Sequence, residues 1–348
     1  MKVAMIQLRR RFFGGVGNSV LTIMMLALIV AVGIPLIRWS LIDSVWDIGA
    51  ATSCRTAAGA CWAFIHEKYR LILFGRYPYA EQWRPLVAIV LILGAMLVSC
   101  DRRAWCAWLG ALWVATAALA ALLMWGGMLG LPYVDDMAWG GLPLTLILAV
   151  AGIAGAFPLA LLLALGRRST LPFLHAVSVA FIELVRGVPL VSVLFMASFM
   201  FPLFLPRSVS VDELLRALVA IMLFSAAYLA EAIRGGLQAI PRGQDEAATS
   251  LGFSYWQRMR LIVLPQALRL VIPPIVNIFI GLFKDTSLVS IVGLMDLLLS
   301  AKQALADPLW RRYSLEAYTF IGVLYFAFCF AMSRYSQYLE RRLRIPGG

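Results

Sequence analysis

Residues 246–265 read EAATSLGFSYWQRMRLIVLP, and this polar stretch lies between two long apolar runs. Just ahead of it, Gly243-Gln244-Asp245-Glu246 places acidic side chains in the first turn of a helix, where the positive end of the helix dipole stabilises them. Gly252 interrupts the stretch, and Leu264-Pro265 ends it. The sequence therefore predicts a short polar helix, broken at a glycine and closed by Leu-Pro, that connects two membrane-spanning segments.

Composition places the chain in the membrane. Of its 348 residues, 62% are hydrophobic and 14% are charged, whereas soluble domains carry about 25% charged residues. The net charge is +12, but the basic residues cluster beside apolar runs rather than on one face of a soluble domain. This pattern indicates orientation in a lipid bilayer and excludes nucleic-acid binding.

Eight apolar segments approach the ~20 residues that a helix needs to cross ~30 Å of hydrocarbon. The sequence thus predicts an all-α, polytopic helical membrane protein with about eight transmembrane helices. The predicted spans are residues 20–37, 86–100, 105–129, 142–165, 174–205, 214–233, 270–292 and 317–332.

Basic clusters fall on one side of these spans, and by the positive-inside rule that side is cytoplasmic. We therefore expect both termini and the 246–265 stretch to face the cytoplasm. We also expect the first apolar run to remain as an anchor, because it ends without a small-residue cleavage site. The clusters are residues 9–11, 102–103 and 167–168, Arg234, Arg242, Arg258 and Arg260 around the polar stretch, and Arg334, Arg341, Arg342 and Arg344 in the tail.

The chain divides into two blocks. Residues 1–135 contain three predicted spans and a long external loop, and residues 136–348 contain five spans and the polar stretch. The acidic connector 133–136 lies between the blocks.

Ordered motifs in the second block resemble a known family. They are WGGLPLT (139–145), ELVRGVPL (183–190), PRGQ (241–244), EAA (246–248) with Gly252 and IVLP (262–265), and KDTSL (284–288). The stretch at 246–265 resembles the EAA signature of permease subunits of ABC importers. The block as a whole resembles the permeases that import histidine, glutamine, glutamate and other polar amino acids.

The first block resembles the amino-terminal extension of the M-type permease of broad-specificity L-amino-acid importers, on the basis of GACWAFI at 59–65. This resemblance implies a five-helix permease core preceded by three extra helices. It also implies a bacterial inner-membrane location, a homologous second permease subunit, two ATP-binding subunits and a periplasmic amino-acid-binding protein. Alternating access would be driven by closure of the ATPase subunits.

In the family, the EAA helix docks in a groove of the nucleotide-binding subunit. Carried over, this implies a flat contact face at Ala247 and Ala248, a charged contact at Glu246 and a close-approach bend at Gly252. The remaining candidate coupling residues are Gly243, Gln244, Leu264 and Pro265. The alternative is an ordinary amphipathic cytoplasmic loop.

The sequence contains no Gly-x-x-x-x-Gly-Lys-Ser/Thr loop to cradle phosphates and no His-Glu-x-x-His pair. We therefore expect no catalytic residue, no metal site and no cofactor in this chain. ATP and Mg²⁺ would be bound by the partner ATPase.

Charged residues inside predicted spans face a bundle interior or a cavity by default. Glu183 and Arg186 are spaced i, i+3, so we expect them to share a helix face and partly neutralise each other. Lys284 and Asp285 lie in the seventh span, whose prolines and glycine loosen the helix. These four residues, with the weaker candidates Asn277 and Thr286, either line the substrate path or form structural ion pairs.

Two of the five cysteines, Cys54 and Cys61, lie in the loop predicted to be external. Because the periplasm is oxidising and the separation is short, we expect a disulfide between them. Its expected role is local, holding Trp62 and Phe64 in place for the second permease or the binding protein.

Two other classes of function compete with the importer. An ion-coupled secondary transporter accounts for the intramembrane charges but leaves the 246–265 stretch unexplained. An intramembrane enzyme lacks a nucleophile–base pair or a metal-ligand set at span depth.

Overall fold

The computed structural model describes residues 12–47, 53–206 and 208–343, so the basic residues 9–11 and Arg344 lie outside the described residues. The described chain is helical almost throughout, which confirms the all-α prediction. The α-helices are α1 (Val16–Ile37), α2 (Ser53–Thr56), α3 (Trp62–Phe74), α4 (Trp83–Cys100), α5 (Ala107–Trp125), α6 (Gly141–Gly166), α7 (Pro172–Gly187), α8 (Leu190–Phe195), α9 (Glu213–Ala239), α10 (Arg242–Ser250), α11 (Tyr255–Arg258), α12 (Leu264–Leu270), α13 (Ile272–Asp285), α14 (Leu297–Ala304) and α15 (Ser314–Leu343).

Shorter elements join or extend these helices. Met295–Asp296 forms a two-residue strand, β1. The π-helical turns are Arg38–Ile42, Met196–Met200 and Met259–Val263, and the 3₁₀ turns are Tyr79–Glu81, Arg102–Ala104, Asp136–Ala138, Phe201–Phe204 and Thr286–Val292.

Seven helical stretches among the described residues are long and apolar enough to cross a membrane. They are Val16–Ile42, Tyr79–Cys100, Trp108–Trp125, Gly141–Gly166, Glu213–Ala239, Ile272–Val292 and Ser314–Arg342. The second, predicted as the short segment 86–100, has 22 residues because a 3₁₀ turn precedes α4.

The predicted span at 174–205 is a bent pair of helices, which makes an eighth candidate span if the pair is counted as one. It consists of Pro172–Gly187 and Leu190–Phe204, which are bent by 105° relative to each other. Val188 between them has φ −109° and ψ 135°, an extended conformation. Pro189 disfavours helical backbone at the residue before it and has no N–H to donate, so the helix ends there.

The chain forms two compact units, which we describe separately. The first comprises residues up to Tyr69 together with Leu305–Phe320, and the second comprises Arg70–Ala304 with the residues from Ile321 onward.

In the first unit, Cys54 and Cys61 are joined by a disulfide, with their Cα atoms 5.5 Å apart. The backbone N–H of Cys61 donates to a carboxylate oxygen of Glu316 at 3.0 Å. The expectation that Phe64 is presented to a partner is wrong, because Phe64 is fully buried with its ring 5.7 Å from that of Trp310.

The core of the second unit is built on small residues. Gly152, Ala156, Ala160 and Ala164 recur every four residues along α6, so they form one stripe of its surface. The three alanines are fully buried in the cluster that contains Ala226 and Ala230 of α9. Small side chains let two membrane helices approach closely, so α6 and α9 pack as a tight pair.

A second close approach explains the paired glycines that precede α6. Gly141 has φ +65°, and a Cβ there would lie 2.2 Å from the carbonyl oxygen of Leu73. A Cβ on Gly140 would lie 2.8 Å from the Cα of Gly75. These backbones can meet only because all three positions are glycine.

Candidate functional site

The predicted coupling segment is a helix–turn–helix. α10 ends at Ser250, and the chain reverses through Leu251 and Gly252, whose φ is +79°. Ser254 then begins α11 with a capping box, in which its own N–H donates to the Gln257 side chain at 2.8 Å. The turn and the start of α11 are therefore closed by local hydrogen bonds, and the segment has a defined shape.

Contacts across the turn hold the two short helices together. Asp245 pairs with Arg258 at 3.2 Å, and Arg258 also donates to the Thr249 hydroxyl. The N–H of Phe253 donates to the carbonyl of Ala248 at 3.2 Å. The side chains that hold the helix–turn–helix together are therefore different from those that the EAA pattern predicts for contact with a partner.

The expected flat face at Ala247 and Ala248 needs correction. Ala247 is exposed, but Ala248 is only 2% exposed and packs inside the chain. Two consecutive helix positions point about 100° apart, so both could not face one partner surface unless the helix presented its edge. Gly243 and Glu246 are exposed, and Gln244 is exposed while accepting a hydrogen bond from Gln266 at 3.4 Å.

Gly252 is needed for its conformation rather than for space inside the subunit. Its φ of +79° is one that residues with a side chain rarely adopt, yet a Cβ there would meet nothing within 4 Å. A side chain at position 252 would therefore project away from this chain, toward whatever covers the turn.

The expectation that Leu264-Pro265 closes the segment is wrong. The π-helical turn Met259–Val263 runs straight into α12, and Pro265 lies in the first turn of that helix. Proline is tolerated there because the first N–H groups of a helix have no partner within it.

This continuation anchors the segment to the membrane core. Met259, Val263 and Ala267 are buried in the same cluster as Ile233 and Leu237 of α9. The second half of the segment is therefore packed on α9, the helix that precedes it, which itself packs against α6.

The predicted pairing of Glu183 with Arg186 is wrong. Glu183 pairs with Arg167 at 2.9 Å, and Arg186 lies 3.9 Å from Glu231 of α9. Arg167 follows the last residue of α6, so these charges gather beside the end of α6, between α7 and α9. The Glu183 side chain is 55% exposed, which excludes a fully buried pair.

Glu231 is the centre of this charge cluster, and sequence reasoning missed it. Its carboxylate contacts Arg167 at 3.3 Å and Arg186 at 3.9 Å, and it also pairs with Arg234. The i, i+3 spacing of Glu231 and Arg234 within an otherwise apolar run was the available signal.

Lys284 of the seventh span lies on a helix face that carries small and polar residues. Pro274, Asn277, Gly281 and Lys284 follow one another at intervals of three, four and three residues, so they share one face of α13. The first two and Lys284 are exposed, and a Cβ on Gly281 would meet nothing within 4 Å. Between 272 and 290, no large apolar side chain is exposed in this described stretch.

A lipid-facing surface would show the reverse pattern, because a lysine in hydrocarbon is costly. Asp285 is partly buried beside this face. Thr286 does not belong to it, because it is fully buried and donates its hydroxyl to the Phe283 carbonyl at 2.7 Å.

The family described as "binding-protein-dependent transport system inner membrane component" matches residues 156–345. The chain belongs to this family. It is therefore a multi-pass inner-membrane permease subunit and not itself an enzyme, which decides against the ion-coupled secondary transporter.

Individual relatives agree with this assignment. The chain is 48% identical over 345 residues to the inner membrane amino-acid ABC transporter permease protein YhdY of Escherichia coli K12, covering 97% of this chain and 93% of that protein. It is 37% identical to the glutamate/glutamine/aspartate/asparagine transport system permease protein BztC of Rhodobacter capsulatus, with the same coverage of both chains.

Among solved structures, the crystal structure of an amino acid ABC transporter with histidines is similar to this chain. The TM-score is 0.51 at 30% identity, covering 57% of this chain and 90% of that one.

Proposed function

We propose that this chain is a permease subunit that carries amino acids inward, with the segment from Arg242 to Leu270 transmitting the movement of an ATPase subunit. The observation that carries the proposal is the shared core of α9, the π-helical turn and α12. The exposed residues Gly243, Glu246 and Ala247, with the open side of Gly252, form the surface offered to the ATPase. ATP and Mg²⁺ belong to that partner.

The proposed assembly contains a homologous second permease, two ATP-binding subunits and a periplasmic amino-acid-binding protein. Its substrate class follows the amino-acid names of the relatives. Residues 136–348 form the permease core and residues 1–135 an extension, a division supported by the family match to 156–345. Both termini and the coupling segment face the cytoplasm, in keeping with the basic clusters.

The α13 face is the proposed lining of the substrate path in this subunit. Its lysine forms no ion pair with any carboxylate in the described ranges, so its ammonium is free to meet the carboxylate of an amino acid. Asn277 on the same face supplies an amide group, and Asp285 lies beside this face.

Reconstitution of the purified transporter in proteoliposomes tests the function. Uptake of labelled glutamine should require ATP on the side of the membrane that carries the ATPase subunits, and it should also require a binding protein. It should persist in the presence of an uncoupler. Uptake that needed no ATP, or that an uncoupler abolished, would contradict the proposal.

The path is tested separately with Lys284→Met, Asp285→Asn and, as a control outside this face, Glu183→Gln. Lys284→Met should impair uptake while assembly and basal ATPase activity are retained, because a residue that lines a wet cavity contributes little to folding. Normal uptake kinetics in well-assembled Lys284→Met and Asp285→Asn variants would remove both residues from the path.

A further inference from the structure

A small cavity lies at the opposite end of the second unit from the coupling segment, between the connector that precedes α6 and the turn that follows α13. Its volume is about 130 Å³, roughly the space of four water molecules in the liquid. Its polar lining consists of Arg76, Asp136, Trp139 and Gln303, and Gly293 and Met295 close one wall.

The cavity holds charges of both signs that do not neutralise each other. Arg76 is exposed and donates only a long hydrogen bond, 3.5 Å, to Gln303. The carboxyl group of Asp136 lies beside that of Asp212, the residue that caps α9. Arg76 and Asp136 thus line one cavity, and neither forms an ion pair with another of the described residues.

Three carboxyl groups crowd the acidic side of the cavity. Burial, together with the neighbouring carboxyl groups of Asp212 and Asp135, raises the pKa of Asp136 to about 6. Asp135 is partly occupied, because it accepts the N–H of Met137 at 2.9 Å. An ammonium group at Asp136 would relieve the repulsion among these carboxylates.

Trp139 adds an independent observation. The residue is only 3% exposed, and its indole N–H finds no hydrogen-bond acceptor among the described residues. A buried donor without an acceptor is uncommon and costs free energy. A carboxylate in the cavity that Trp139 lines would supply the acceptor.

We propose that this cavity is a binding site for the zwitterionic end of a free amino acid, with Arg76 and the Trp139 N–H on the carboxylate and Asp136 on the ammonium. The volume suits the ammonium, α-carbon and carboxylate that all amino acids share. The site therefore reads the common part of the substrate and tolerates many side chains.

The inference rests on the proposed function and on the proposed orientation, which places this cavity on the external side. The cavity would be an initial binding site, which holds the amino acid released by the binding protein before it enters the membrane path.

The test measures binding of labelled L-alanine to the purified permease–ATPase complex in nanodiscs without added binding protein. Unlabelled L-alanine should compete, whereas propionate and ethylamine, which each lack one of the two charges, should compete poorly. Arg76→Gln and Asp136→Asn should each weaken binding about 10-fold to 100-fold, since each removes a charge-assisted hydrogen bond. Trp139→Phe, which removes only the N–H, should have a smaller effect.

Arg311→Gln is the matched control, because it removes an exposed arginine that does not line the cavity. Unchanged binding in both Arg76→Gln and Asp136→Asn, or equal competition by propionate and alanine, would overturn the inference. ATP-driven uptake by the wild-type transporter is measured alongside. If uptake occurs but the cavity variants bind normally, only this inference fails, whereas absence of uptake in the wild type contradicts the proposed function itself.

Discussion

Replacing Glu231 with glutamine should destabilise the subunit more than any other single neutralisation in the charge cluster. With Glu231 ionised, the cluster contains three arginines (167, 186 and 234) and two glutamates (183 and 231), a net charge of +1. The Glu231→Gln variant retains three positive charges and one negative, a net charge of +2, in a place that is only about one-fifth exposed.

The magnitude follows from distance and burial. At an effective dielectric constant of about 20, a contact at the 3.3 Å that separates Arg167 from Glu231 corresponds to about 5 kcal/mol of gross attraction, most of which desolvation offsets. Breaking a buried pair costs about 3–5 kcal/mol, and an exposed pair contributes about 0–1 kcal/mol. Since the Glu231 side chain is 22% exposed, we expect a loss of about 2–4 kcal/mol.

Glu183→Gln is the matched control. Glu183 has one arginine partner and its side chain is 55% exposed, so the loss should stay below about 1 kcal/mol. The assay is unfolding of each purified subunit by SDS in mixed micelles, followed by circular dichroism. Equal stability losses in the two variants, or no loss in either, would refute the cluster as a structural junction.

Three further predictions concern other parts of the chain. The Gly252→Asn variant should fold normally, because asparagine tolerates the left-handed conformation. It should lower the uptake per ATP hydrolysed, because its side chain fills the open side of the turn. Normal coupled uptake would show that no subunit docks there. Replacing Cys54 and Cys61 together with serine should cost about 2–3 kcal/mol of stability and leave uptake intact, and mass mapping of the wild type without reductant should find the two cysteines bonded; free thiols would contradict the disulfide. The affinity of the external cavity for L-alanine should be full above about pH 7 and fall as the pH drops through the Asp136 pKa of about 6. The reason is that binding of the ammonium group requires the ionised carboxylate of Asp136. Arg76 stays charged over this range, and Asp135 and Asp212 only add negative charge as the pH rises. The free protein should show the opposite trend, losing stability as pH rises toward 6, because the folded state holds the Asp136 proton more tightly than the unfolded chain; an affinity independent of pH between 5 and 8 would exclude Asp136 as the ammonium ligand.

Sequence reasoning succeeded where the signal was local. The apolar runs gave the spans, and the acidic first turn with Gly252 gave the helix–turn–helix, because propensity and capping act within a few residues. It did not predict the bend within the span at 174–205, because hydropathy alone indicates a continuous apolar segment, although Gly187-Val188-Pro189 carries the signal for a break.

The sequence could not show which charged residues form ion pairs with each other, for a different reason. Glu183 and Arg186 satisfy the spacing for an intrahelical pair, yet Arg186 lies near a carboxylate 45 residues later in the chain, and Glu183 pairs with an arginine just beyond the end of α6. The inward orientation of Ala248 likewise depends on the docking of α10 against the π-helical turn. Such tertiary contacts override local spacing, so only the folded structure could separate the two alanines.

The distribution of these contacts indicates where movement should occur during transport. The α6–α9 pair is joined by a stripe of buried small residues, and α12 shares that core, so these helices should move as one body when α10 is pulled. α7 also contributes the fully buried Ile182 to that core, and charged contacts reinforce its end: one exposed pair at 2.9 Å and one long contact at 3.9 Å tie it to Arg167 and Glu231. It is also separated from α8 by an extended residue before a proline. Since a packed core cannot shift without opening cavities, whereas an extended residue between two helices can change its backbone angles, the displacement should be taken up at the break between α7 and α8 rather than within the packed core.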